Sequence, residues 1–255
     1  MSYTDGGYRR PAWIPVVVGL ALVFVFFRPS SCTQRVALTT PEGVERVLFE
    51  DPETSPLYKA IQRTYPEEFE GLKTDIIRRA KAGEATEQLS ESVLTYVIEA
   101  GKRHRHDLAQ APHAAFDKYR STEIRMIEAF KAADADLCAT YMVKGAVRGP
   151  SVSNIPHAVL IDFRIASWEG NAAGRDHPVN RPIVQPTVAD WRRVEQDMVK
   201  RGATPAMANA FLRGTISTAN TADQCATGLT YSYVMNELPP EKADAMYAYL
   251  VMQQP

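Results

Sequence analysis

The chain has 255 residues and a formal net charge of −1 at pH 7, with 45% hydrophobic and 23% charged residues. These values are ordinary for a globular protein and exclude a disordered, collagen-like or disulfide-dense chain. The length suffices for one large domain or two small ones. Because no overall excess of positive charge exists to attract nucleic acid, we expect no nucleic-acid partner.

The N-terminal region contains one long apolar segment. Residues 11–27 read PAWIPVVVGLALVFVFF and carry no charged side chain. As a helix, this segment reaches roughly 25 Å, slightly less than the ~30 Å hydrocarbon core of a bilayer. Arg10, Arg28 and the ring of Trp13 supply the interfacial anchoring that a short span needs. The sequence therefore predicts a transmembrane signal-anchor over residues 11–28.

The sequence leaves two alternatives to a retained membrane anchor. A cleaved signal peptide shares the basic start and the short apolar core, but Arg28 and Pro29 stand where an A-x-A-like cleavage site belongs. Lipid attachment at Cys32 is the second, although Pro29 replaces the aliphatic residue that usually precedes such a cysteine by three positions. We expect a retained anchor and keep as the alternative a secreted or lipid-anchored protein, cleaved after the apolar segment.

The order of segments along the chain predicts its orientation in the membrane. A short tail comes first, then one apolar segment, then the large remainder. Residues 1–10 are expected to be a cytoplasmic tail and residues 29–40 a tether. Residues 41–255 would then form an extracytoplasmic domain, with a candidate internal boundary near 145–155, where glycine and proline are frequent. We expect a single-pass protein of the inner (cytoplasmic) membrane whose C-terminal domain lies in the periplasm.

Helix signals follow one another along this domain, and almost no strand-like alternation interrupts them. In chain order they predict helices over residues 56–64, 66–82, 86–111, 115–130, a short segment around Cys138, 157–170, 188–201, a segment opened by Pro205, 221–237 and 240–253. Residues 157–170 also read as a strand, but Val159, Phe163 and Ala166 share a helical face. Residues 171–186 are expected to be irregular. The prediction is an all-α domain of about ten helices.

Cys138 and Cys225 are the two cysteines of the expected domain. Two cysteines that face an oxidising compartment are expected to pair. Because each lies in a segment of helical periodicity, we predict a disulfide bond between two distant helices. Two buried thiols in a reduced domain are the alternative.

The region 145–186 holds the candidate catalytic residues. Glu169, Asp176 and His177 lie there among glycines and prolines, a composition typical of functional loops. An acid–base site would pair His177 with Asp176 or Glu169 in a pocket, as in a hydrolase that acts on an envelope polymer. The alternative is a polar connection with local salt bridges. The sequence has no nucleophile motif such as G-x-S-x-G and no phosphate-binding loop.

A second polar run, GKRHRHD, covers residues 101–107. His104 and His106 are separated by about 200° on a helix, so they cannot jointly hold a metal ion. We expect this run to be a solvated helix face, with contact to an anion or a lipid headgroup as the alternative, and we expect no metal and no cofactor. The sequence favours an interaction or accessory component of an envelope assembly, with protein partners and a membrane attachment through residues 11–28.

Overall fold

The computed structural model describes residues 38–145 and 155–253, and within these ranges the chain is helical without a β-strand. This confirms the all-α prediction for the described part of the chain. The α-helices are α1 (Pro41–Glu50), α2 (Ser55–Thr64), α3 (Pro66–Lys81), α4 (Thr86–Arg103), α5 (Arg105–Ala109), α6 (His113–Ala133), α7 (Ala135–Lys144), α8 (His157–Asp176), α9 (Val188–Lys200), α10 (Pro205–Arg213), α11 (Thr221–Glu237) and α12 (Pro240–Met252), with a 3₁₀-helix at Ile216–Thr218.

Local capping chemistry sets the ends of several helices. Thr187 accepts a hydrogen bond from the Asp190 amide, and the Asp190 carboxylate accepts one from the Thr187 amide, so α9 begins with a capping box. At α10 the Thr204 hydroxyl accepts a hydrogen bond from the Met207 amide. Gly83 and Gly202 follow α3 and α9 with φ of 82° and 103°, a conformation that glycine adopts without strain.

The segment predicted as one helix over residues 86–111 is two helices, so that prediction was wrong. Helix α4 ends at Arg103 and α5 begins at Arg105, with His104 at φ −97° and ψ 8° between them. The side chain of His104 contacts Glu68 of α3, which holds the junction in place. The prediction missed this break because the apolar periodicity of the segment continues across it.

Helix α8 extends to Asp176, so the prediction of an irregular stretch from residue 171 was wrong for its first six residues. The glycines of α8 leave room for α5, which crosses α8 at very short range. A Cβ atom at Gly174 would lie 1.7 Å from the carbonyl oxygen of Asp107, and one at Gly170 would lie 2.8 Å from Leu108. The helical interpretation of residues 157–170 is confirmed.

A shared hydrophobic core joins the helices on both sides of the segment near residues 145–155. Helix α8 packs against α6, α5 and α2, and α11 packs against α7. The predicted disulfide bond is present: Cys138 of α7 and Cys225 of α11 are buried, with their Cα atoms 5.3 Å apart. It closes a loop with a sequence separation of 87 residues, for which the chain-entropy model gives about 4–5 kcal/mol of stabilisation.

No helix within residues 38–145 or 155–253 combines the length and apolarity needed to cross a bilayer. The predicted signal-anchor at residues 11–28, the N-terminal tail and most of the tether lie outside the described residues. Most of the candidate boundary near 145–155 lies outside them as well.

Candidate functional site: two polar networks and a basic groove

A cluster of titratable and aromatic side chains lies where α3, the α4–α5 junction and α8 meet. We call Tyr65, Glu68, His104, Asp107 and Trp168 the His104 cluster. Its members come from distant parts of the chain, and the break between α4 and α5 turns His104 towards α3. Tyr65 and Trp168 are buried, and their rings form the apolar side of the cluster.

Both ring nitrogens of His104 face carboxylates. Nε2 lies 2.9 Å from Glu68 Oε1, and Nδ1 lies 3.5 Å from Asp107 Oδ2. The Tyr65 hydroxyl donates to the same Asp107 oxygen at 3.2 Å. The rings of Tyr65 and His104 pack with their centroids 4.0 Å apart, and Trp168 meets Tyr65 edge-on at 5.4 Å.

The electrostatics of the cluster follow from its partial burial. Burial acts to raise the pKa of Glu68, but hydrogen bonds from Arg103 and His104 outweigh it, so the pKa of Glu68 lies below its ordinary value. The Tyr96 hydroxyl donates a further bond to Glu68 at 3.2 Å. Burial, followed by the negative charge of Asp107, raises the pKa of the Tyr65 phenol well above its ordinary value.

The contacts of His104 give the cluster a structural role. The His104 ring contacts two carboxylates at once, and each of those carboxylates accepts further hydrogen bonds from the protein. A ring held in this way ties α3 to the α4–α5 junction. The expectation of a solvated face was therefore wrong for His104 and Asp107, whose side chains are 20% and 27% exposed, but it holds for Arg103, whose side chain is 51% exposed.

A second network surrounds Asp244 of α12. Its side chain is 5% exposed and lies 2.6 Å from an Arg120 guanidinium nitrogen and 3.1 Å from one of Arg181. His113 Nδ1 approaches the same carboxylate at 3.1 Å. Sequence reasoning missed this network, because Arg120 and Asp244 are 124 positions apart and no local pattern relates them.

Arg181 fastens the linker of residues 177–187 to the helices. Its guanidinium donates to the carbonyl oxygens of Ala109 at 2.7 Å and Ala111 at 3.2 Å, in addition to the Asp244 contact. Its own amide donates to the Gln110 side chain at 2.9 Å. The linker therefore has a fixed path across the end of α5, although it contains no helix.

The three candidate catalytic residues lie along and just after α8, and each has local contacts of its own. Glu169 forms ion pairs with Arg63 and Lys118, and Asp176 forms one with Arg175. Hydrogen bonds from Arg175 lower the pKa of Asp176. His177 is exposed and is the capping residue that follows α8. Within the described ranges, no hydrogen bond joins Glu169, Asp176 and His177 to one another.

Metal binding has no candidate in the part of the chain that the structure describes. No three histidine, cysteine, aspartate or glutamate side chains there are arranged to hold a metal ion. At Glu68 and at Asp244, the carboxylate that contacts a histidine also forms an ion pair with an arginine.

A groove of about 740 Å³ opens between the C-terminal half of α9 and the α11–α12 connection. Four cationic and two anionic side chains line it, together with an apolar floor. We call it the basic groove. Its lining residues are Arg193, Asp197, Lys200, Arg201, Val234, Glu237, Leu238, Pro239 and Lys242.

Comparison with known proteins gives no relative: no family model matches the chain, and neither a curated protein nor a solved structure matches it at a significant level. What the chain does is therefore inferred from its own residues and contacts.

Proposed function

We propose that this protein is a single-pass, membrane-anchored interaction component of an envelope assembly, with its helical domain on the periplasmic side of the inner membrane. The main support for a periplasmic location is the buried disulfide bond between Cys138 and Cys225. Disulfide bonds persist in oxidising compartments and are rare in a reducing cytosol. The bond supports an extracytoplasmic domain independently of the apolar segment.

The apolar segment supports the attachment. Residues 11–27 carry no charge and are flanked by Arg10 and Arg28, the pattern of a signal-anchor. A tether of residues 29–40 extends at most about 40 Å. The domain would then stay close to the bilayer and meet its partners in the membrane plane, which suits an accessory role.

The contacts of the polar residues favour binding over catalysis. The His104 cluster and the Asp244 network use their histidines and carboxylates to hold helices together. Glu169 and Asp176, the candidates for an acid–base site, form ion pairs with basic neighbours. The basic groove, by contrast, presents charged side chains around an open concave surface. An open groove of this kind can receive a segment of a partner protein, which supports an interaction role.

Fractionation with protease protection tests the topology. The intact chain is expected in the membrane fraction after alkaline carbonate washing, and its domain is expected to become sensitive to protease once the outer membrane is opened. A matched variant, Leu20→Arg, places a charge in the apolar segment at a cost of about 3 kcal/mol and should weaken the retention. An intact chain in the soluble cytosolic fraction would overturn the proposal.

Purification tests the interaction role. After chemical cross-linking in intact cells and extraction with detergent, we expect a companion envelope protein in a constant molar ratio to the chain. Recovery of the chain alone, after cross-linking that captures a known envelope complex in the same sample, would contradict the proposed role.

A further inference from the structure

We propose that the basic groove binds an extended, acidic segment of a partner protein. This inference rests on the proposed function and names the surface through which the protein would act. The segment would place carboxylates against the cationic rim of the groove and apolar side chains against its floor.

The charges of the groove are unbalanced. Asp197 is shared between two cations, with Arg193 at 2.7 Å and Lys200 at 2.8 Å. Glu237 is the second carboxylate in the lining, and it pairs with Arg201. Four cations face these two carboxylates and Asp190, which pairs with Lys242, so one positive charge remains in excess in a chain whose net charge is −1. A local reversal of charge of this kind attracts carboxylates and orients an approaching acidic chain.

Arg201 and Lys242 are held in position on the rim. The Arg201 guanidinium lies 4.9 Å from the centre of the Tyr233 ring, and the Tyr233 hydroxyl is hydrogen-bonded to Glu128 of α6. Lys242 contacts Asp190 of α9 at 2.5 Å. Side chains that are already ordered lose less conformational entropy when a ligand binds.

The apolar floor of the groove favours a protein segment over a small anion or a bilayer surface. It consists of Val234, Leu238 and Pro239, at the point where α11 ends and α12 begins. A small anion would contact the rim and leave this apolar surface in water. A bilayer surface is broad and does not enter a concave groove between helices. A protein segment that carries both acidic and apolar residues contacts rim and floor together, as extended peptides do in grooves.

The test uses the full chain in micelles of an uncharged detergent and a short fluorescent peptide that alternates glutamate with leucine. Anisotropy is expected to show saturable binding of one peptide per chain that weakens as salt is added. Lys200→Glu should lower the affinity about tenfold. The matched control is Lys131→Glu, because Lys131 is also an exposed cation in the last turn of a helix but lies outside the groove; its affinity should stay within about twofold of the original chain.

Leu238→Gln tests the floor separately and should lower the affinity about fivefold without changing the salt dependence. Circular dichroism establishes that each variant is folded. Equal weakening by Lys200→Glu and Lys131→Glu would mean a general charge effect and overturn the inference. Displacement of the peptide by an equal concentration of inorganic phosphate, or by anionic but not neutral vesicles, would also overturn it. If no peptide binds while the intact chain still fractionates as a periplasmic membrane protein, the groove inference fails and the proposed topology stands.

Discussion

Replacement of Asp244 by alanine is expected to destabilise the domain strongly. Asp244 is 5% exposed, and its carboxylate compensates the charge of Arg120, which is 1% exposed, and part of the charge of Arg181. Removing one member of a buried ion pair leaves an uncompensated charge, which costs about 3–5 kcal/mol. We therefore expect Asp244→Ala to lower the free energy of unfolding by about 3–5 kcal/mol.

Chemical denaturation in detergent micelles, followed by circular dichroism, measures this loss. Asp117→Ala is the matched control, because Asp117 also contacts Arg120, at 3.4 Å, but is 52% exposed. An exposed ion pair contributes less than about 1 kcal/mol, so the control should remain close to the original chain. Equal losses below about 1 kcal/mol for both variants would refute the claim that the Asp244 network holds the linker and α12 in place.

Three further changes probe other contacts by the same denaturation assay. Gly174→Ala should cost at least about 1–3 kcal/mol, because its Cβ would lie 1.7 Å from the Asp107 carbonyl oxygen; an unchanged stability would contradict the close crossing of α5 and α8. Since the folded-state pKa of Glu68 is lowered, its stabilisation is present above its ordinary pKa and lost as the pH falls, so Glu68→Gln should flatten the acid side of the stability profile. Replacing both Cys138 and Cys225 by serine should cost about 2–5 kcal/mol, and no loss would show that the bond is dispensable.

The helices could largely be predicted from the sequence because their signals are local. The capping box of Thr187 and Asp190 and the glycines after α3 and α9 act within one turn of the chain. The disulfide bond could be predicted from the expected compartment and the two available cysteines. Such inferences need no knowledge of which helices pack together.

The tertiary contacts could not be predicted, because they join residues that are far apart in the sequence. The break at His104 depends on Glu68, which lies 36 positions earlier. Gly174 lies in the stretch 171–186 that was expected to be irregular, yet it belongs to α8, at the point where α5 crosses it. Asp244 gains its role only when α12 packs beside Arg120 and the linker. The candidate site residues were sought in a loop, whereas the polar networks lie where helices meet.

The redox state of the cysteines in intact cells tests the central claim most directly. Cells are quenched in acid, their membranes are isolated, and free thiols are alkylated with a heavy maleimide before and after reduction. We predict that Cys138 and Cys225 resist alkylation until the reductant is added, in a membrane-bound chain that retains its apolar N-terminal segment. Immediate alkylation of both cysteines in a soluble chain would contradict the account.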